Sequence, residues 1–466
     1  MIGGSAIPDG LIRIRLARLA FGCTSHFLLA LLLAAAPARA AELPIVRESL
    51  PNGLTVVVRE NPAAPVVAVS VVVKMGARWE TAQDAGISNY VHAVMVKGTA
   101  KRSGADLAEA VAGLGGKMSA YGDVDYSEIR ASALSRFWRE LLGLVAELAL
   151  EPTLAASEVD REREFLLTRI QRREDSPSSH AFDTFYAKLY GPHPYALPSL
   201  GLRESIRRID HAAIVDWYRR FYRAERMVVS VSGQAPAREV LAEARRLFGS
   251  LPGGATTAGE AQPKASRATQ PMDPTLPAPT PAPGRTIVEQ QAQQAQILVG
   301  ALGPAVTDRD YASVKVLATI LGGGMAGRLF AELRDRQALA YSAAAYFDPQ
   351  REPAALVLQL GTAPDNVVRA ERALMQEVDR IRAERVGADE LARAKAYLLG
   401  SFVMDRRTNA RQASSLAQFE VLGVGVEFPA RYRSAVEAVT ADEVLRVAKQ
   451  YLTNLTTVVL RPPPSR

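Results

Sequence analysis

Four histidines follow residue 40, at His92, His180, His193 and His211, and no two stand three or four residues apart. No helical turn therefore offers the paired imidazoles of an HExxH or HxxEH zinc site. A metal held by residues distant in sequence stays open, but no spacing marks one. His92 reads as a packed helix residue, and His193, in Gly191-Pro192-His193-Pro194-Tyr195, as a loop buttress. A GxSxG elbow is absent. Gly322-Gly323-Gly324 lacks the Lys-Ser/Thr that completes a phosphate loop; it suits a tight turn and a close backbone approach ahead of a helix over 328–334. What remains is Arg334 with Tyr341, where a helix end leads into a strand. Both side chains can donate hydrogen bonds to a carbonyl oxygen. From the residues alone, an arginine paired with Glu332 or Asp335 and a tyrosine filling a sheet face is the favoured reading.

The elements that would position these groups fall into two sets. The first 40 residues read as a targeting segment: Arg13, Arg15 and Arg18 lead an apolar run over 27–36, and Ala38-Arg39-Ala40 supplies small residues for cleavage after Ala40. That run is shorter than the roughly 20 residues a membrane-spanning helix needs, so no stable anchor is expected. Cys23 is the one cysteine and precedes the apolar run, which argues against lipid attachment. Once it is removed, disulfides, thiolate nucleophiles and cysteine-ligated metals are excluded. The net charge of +7 falls to +4 when four arginines and Asp9 leave with the leader. Acids and bases interleave, as in Arg161-Glu162-Arg163-Glu164, which marks a solvated helix face rather than a nucleic-acid track.

Residues 251–284 are crowded with Gly, Ala, Thr and Pro and read as a semi-extended linker. It joins an N-terminal domain over 41–250 to a C-terminal domain over 285–466. Strand patterns lie at 54–58, 66–73, 129–134 and 227–232, then at 296–300, 355–360 and 456–460. Helical patterns lie between them, at 85–95, 107–114, 137–150, 159–172 and 214–222, then at 311–321, 366–384, 389–404 and 441–452. Each half opens and closes on strands with helices between, which predicts a duplicated α+β unit.

Gly76-Ala77-Arg78-Trp79-Glu80, followed by Gly86-Ile87-Ser88-Asn89-Tyr90-Val91-His92-Ala93-Val94-Met95-Val96-Lys97-Gly98-Thr99, resembles the signature segment of the insulinase/pitrilysin family of zinc peptidases. Segments 113–116, 160–164, 193–195, 217–222 and 321–330 extend the likeness in order, across about 43–462. The resemblance implies two homologous domains, each a mostly antiparallel sheet covered by helices, in a clam-like arrangement. Active members carry HxxEH on a helix in that first signature, with two histidines binding zinc and the glutamate activating water. Here those places fall at Asn89, His92 and Ala93. The downstream glutamate ligand falls at Arg169, or at Thr168 if the register slips by one, while Glu162 keeps the place of a supporting glutamate. Ala93 has no donor atom, Asn89 is a poor ligand, and Arg169 would set a fixed positive charge beside a cation. One histidine cannot make bound water an effective nucleophile. The expectation is that this chain binds no metal or other cofactor and has no catalytic residue of its own.

Arg334 and Tyr341 coincide with the family's Arg/Tyr pair, which helps bind the substrate backbone near the scissile bond. The family includes two-chain enzymes in which one subunit holds zinc and the other this pair; the stretch at Gly322-Gly323-Gly324 also resembles such partners. The resemblance thus implies a non-catalytic, substrate-binding subunit of a heteromeric periplasmic zinc metallopeptidase. Its expected partners are a homologous zinc-bearing subunit and a peptide. The alternatives are a peptide-binding or assembly protein on the same scaffold, and an autonomous metalloendopeptidase.

Overall fold

The structure, a computed structural model, describes residues 44–252 and 275–463. The expected targeting segment and most of the expected linker lie outside the described residues.

The first sheet is built from β1 (Ile45–Ser49), β2 (Thr55–Glu60), β3 (Val66–Val73), β4 (Lys117–Gly122), β5 (Ser127–Leu134) and β6 (Met227–Gly233), in the order β1-β2-β6-β3-β5-β4. Only β2 and β6 run parallel; Val69 at the centre pairs with Ala131 on one side and Val231 on the other. The run Val-Val-Ala-Val-Ser-Val-Val-Val makes β3 a strand for the middle of a sheet, because β-branched side chains suit a pleated surface buried on both faces. The helices of this unit are α1 (Ile87–Met95), α2 (Gly104–Gly113), α3 (Trp138–Leu150), α4 (Ala156–Asp175), α5 (Pro177–Tyr190), α6 (Arg203–Arg208), α7 (His211–Phe221) and α8 (Ala237–Phe248).

The second sheet repeats the plan. It contains β7 (Gly284–Glu289), β8 (Ala295–Leu302), β9 (Ser342–Phe347), β10 (Ala355–Thr362) and β11 (Thr456–Arg461), in the order β7-β11-β8-β10-β9. Again the first strand of the series runs parallel to the last and every other pairing is antiparallel. Among the described residues, strand β1 has no counterpart in the second sheet. Its helices are α9 (Tyr311–Gly322), α10 (Val367–Ala383), α11 (Ala388–Asp405), α12 (Asn409–Val421), α13 (Phe428–Ala438) and α14 (Ala441–Tyr451), with a π-helix at Leu329–Arg336. The duplicated α+β unit expected from the strand-to-strand pattern is therefore present at the level of topology.

Two helices cross over. In β3, alternate residues point to opposite faces: Val69, Val71 and Val73 join the core under the unit's own helices, whereas Val72 faces Leu416, Ala417 and Val421 of α12, from the other unit. Reciprocally, α5 lays Phe185, Leu189 and Tyr190 on Leu298, Val357 and Val458 of the second sheet. Asn409 fixes the start of α12: its amide donates to the Val66 carbonyl at 3.0 Å and its oxygen accepts from Asn61 at 2.7 Å. At a second junction, Arg78 pairs with Glu352 at 2.5 Å, while Asp125 accepts from Tyr195 and, at 3.0 Å, from the Arg351 amide. Both sheets accordingly belong to one compact unit, Ile45–Arg466.

Candidate functional site

Helix α1 begins at Gly86, whose φ of 88° places it in the left-handed region that favours glycine. Its free amides are met from outside the helix. Glu80 accepts from the Gly86 N–H at 2.6 Å and from the Ser88 N–H at 2.9 Å, so a carboxyl group sits where the helix dipole favours negative charge. Burial nevertheless pushes the Glu80 carboxyl up to about 7. Gly122, at the end of β4, lies so close that a Cβ there would fall 2.8 Å from the Asn89 nitrogen. The edge strand thus holds α1 in place.

Along α1, Asn89 and His92 are buried and Ala93 is half-buried. His92 is fully enclosed, with Nδ1 2.7 Å from the Ser88 carbonyl and Nε2 2.7 Å from the Tyr222 hydroxyl. A carbonyl can only accept, so Nδ1 carries the proton and Nε2 accepts from Tyr222. Burial holds this imidazole neutral and lowers its pKa to about 4. The lone pair a metal would need is occupied.

Helix α4 packs across α1. Tyr90 donates to the Val159 carbonyl, and Lys97 Nζ lies 2.7 Å from Glu162 Oε1. Glu162, with no zinc ligands to support, is thus matched by a cation. Arg169 and Thr168 are exposed farther along α4. Zinc does not fit these residues. The four positions supply an amide, an imidazole with both nitrogens engaged, a methyl group and a guanidinium. Among the described residues no group of three or more His, Cys, Asp or Glu is placed to hold a metal ion. His180 bonds Gln290 at 2.9 Å, and His193 bonds the Tyr195 amide at 3.2 Å and packs edge-on against its ring.

Arg334 and Tyr341 lie at the other sheet. Arg334 sits in the π-helix, where the Gln337 N–H reaches back five residues to the Glu332 carbonyl. This is a wider turn than the ordinary helix expected over 328–334. The helix stops at Ala338, which takes a positive φ of 50°. The Tyr341 amide then donates to the Gly361 carbonyl at 2.8 Å, starting edge strand β9. Glu332 pairs with Arg336 at 2.6 Å, not with Arg334. The Arg334 guanidinium stacks 4.6 Å from the Phe330 ring centroid, and Tyr341 is 60% exposed. No hydrogen bond or ion pair engages either side chain among the described residues. Gly322 is the close approach expected of it, since a Cβ there would meet Ala345 Cβ at 2.8 Å, and Gly324 has a φ of 73°.

Two groups here were not marked by residue spacing. Glu80 stands in the signature segment without a role until its contacts to the α1 amides are seen, and Tyr222 is the distant partner of His92.

Residues 55–201 match the insulinase family (peptidase family M16), and residues 208–398 match the peptidase M16 inactive domain. A protein of Mycobacterium bovis described as an uncharacterized zinc protease is 30% identical over 424 residues, spanning 89% of this chain and 92% of that protein. One of Rickettsia felis, described in the same words, is 25% identical over 410 residues, spanning 88% and 95%. A crystal structure of a peptidase M16 inactive domain from Pseudomonas fluorescens superposes with a TM-score of 0.80 at 22% identity, covering 91% of this chain and 100% of that one. A protease from Helicobacter pylori superposes at 0.81 and 21%, covering 90% and 100%. A repeated topology, a signature helix and matches along both halves meet in one conclusion: the chain belongs to peptidase family M16, the insulinase family.

Proposed function

We propose that this chain is the non-zinc, substrate-binding subunit of an exported, two-chain metallopeptidase that acts on peptides or unfolded segments. The observation that carries the reading is the contrast between its two units. In the first, the positions that would hold zinc are taken by Asn89, His92, Ala93 and Arg169, and His92 is locked by Ser88 and Tyr222. In the second, Arg334 and Tyr341 present polar groups to solvent beside the edge strand β9. An edge strand leaves backbone donors and acceptors for an extended peptide, and the two side chains would bind its carbonyl oxygens. Zinc and the attacking water would come from a homologous partner that keeps HxxEH. The reading of residues 1–40 as a cleaved leader supports the periplasm or an equivalent exported compartment for this chain, which a partner would have to share.

The test is to co-express the chain with an exported homologue that carries HxxEH. The proposal expects the two to co-purify and chelator-sensitive peptide hydrolysis to appear in the mixture. Arg334→Ala and Tyr341→Ala should each lower that hydrolysis by about tenfold, the scale of one lost hydrogen bond, with assembly intact. Assembly with no gain in hydrolysis would leave an assembly protein in its place. No association with any such homologue would remove the proposal altogether.

A further inference from the structure

The side of α4 that approaches α1 carries more than Arg169. Asn89 and Ala93 stand four residues apart on α1 and so share one side, and Lys97 follows two residues after the helix ends. Glu162 and Arg169, seven apart, share one side of α4. The Lys97–Glu162 pair ties the chain just past α1 to α4. Beyond that pair, Phe165, Thr168, Arg169 and Arg172 reach solvent, Phe165 with 57% of its surface exposed.

The other arginines of α4 are matched to acids: Arg161 to Glu158 at 2.7 Å, Arg163 to Asp160 at 2.7 Å and Arg173 to Asp183 at 2.5 Å. The acids after Arg172 are also engaged, Glu174 by Arg203 and Asp175 by the Gln171 amide. Arg169 and Arg172 have no acidic partner among the described residues.

The duplicated unit provides an internal comparison. Helices α5 and α12 are capped by the side chains of Ser176 and Thr408. Counting the same distances back from those caps reaches Tyr397, Ser401 and Met404 in α11. Tyr397 is 51% exposed and Met404 58%.

We infer that this face of α4 is a carboxylate-binding site, at which Arg169 and Arg172 engage the acidic side chains of an extended peptide and Phe165 forms the apolar wall. A guanidinium presents planar paired donors that match a carboxylate, and two of them beside a phenyl ring favour an acidic segment over a neutral or basic one. The inference rests on the reading of the chain as a peptide-binding subunit and adds the class of peptide.

The experiment uses the purified full chain and three labelled, unstructured peptides of one length: one rich in glutamate, one with glutamine at those positions, one with lysine. Fluorescence anisotropy at low ionic strength should show the glutamate peptide binding about fivefold tighter than the glutamine peptide, the scale of two exposed ion pairs. That preference should fade as salt screens it. The double variant Arg169→Gln/Arg172→Gln should lose the preference, whereas Arg161→Gln should keep it. Equal affinity for the glutamate and glutamine peptides, or a preference that survives the double variant, overturns the site while leaving peptide binding in place. Failure to bind any of the three overturns the site and the subunit reading together.

Discussion

Protonating His92 would require the Tyr222 hydroxyl to turn round inside the core, because Nε2 now accepts its hydrogen. This gives a signed expectation. The folded pKa of about 4 lies below the ordinary value of 6.5, so His92 contributes stability in full above pH 6.5 and loses it as pH falls towards 4. The total is about 3 kcal/mol, at about 1.4 kcal/mol per pH unit. Glu80 works in the opposite sense. Its folded pKa of about 7 lies above 4.5, so its contribution is present below pH 4.5 and is lost as pH rises towards 7. Between pH 4.5 and 6.5 the two slopes oppose each other. Urea midpoints of Glu80→Gln across that interval should therefore fall more steeply on acidification than those of the parent protein, and a slope no steeper would refute the pairing. Tyr222→Phe, which leaves Nε2 unsatisfied, should cost about 1–3 kcal/mol at neutral pH. The spacing of the histidines already shows that His92 has no second imidazole nearby. It does not show that a tyrosine 130 residues away takes its nitrogen, because that contact exists only once α7 and α1 are packed.

At the scale of elements, the crossing helices carry the argument. Most strands and helices are legible from period and composition, but α5 and α12 have no counterpart in the sequence reading, and their apolar residues serve a sheet far away in the chain. Signals were present for their starts: Ser176 followed by Pro177 is a favoured helix opening, and Thr408 caps α12. What no local pattern reveals is which sheet each one covers. Gly300 marks one such seat, since a Cβ there would come within 2.8 Å of Phe185 Cζ. Phe185→Ala in α5 should cost about 3–5 kcal/mol and Leu416→Ala in α12 about 2–5 kcal/mol. Because each sheet depends on a helix from the other unit, both variants should shift a single denaturation transition seen equally by probes in either half. A second transition, with one half unfolding alone, would contradict the exchange.

For the whole molecule, the two copies of one topology differ at the candidate site: the α1–α4 face offers no zinc-ligand set, and β9 stands at the edge of its sheet. The family and its two-domain architecture were legible because the signature residues, and the strands that open and close each half, can be read along the chain. The exposure of Arg334 and Tyr341 was not, because it depends on Glu332 pairing with Arg336 and on the turn at Ala338. If residues 1–40 are a leader, sequencing the N-terminus of protein recovered from an exported fraction should return Ala41-Glu42; a start upstream of Ala41 would refute cleavage there. The central claim, that this chain holds no zinc of its own, is tested most directly by metal analysis of the chain alone after exposure to excess zinc and dialysis. The account predicts far less than one zinc per chain and no chelator-sensitive peptide hydrolysis. Stoichiometric zinc accompanied by such hydrolysis would contradict it.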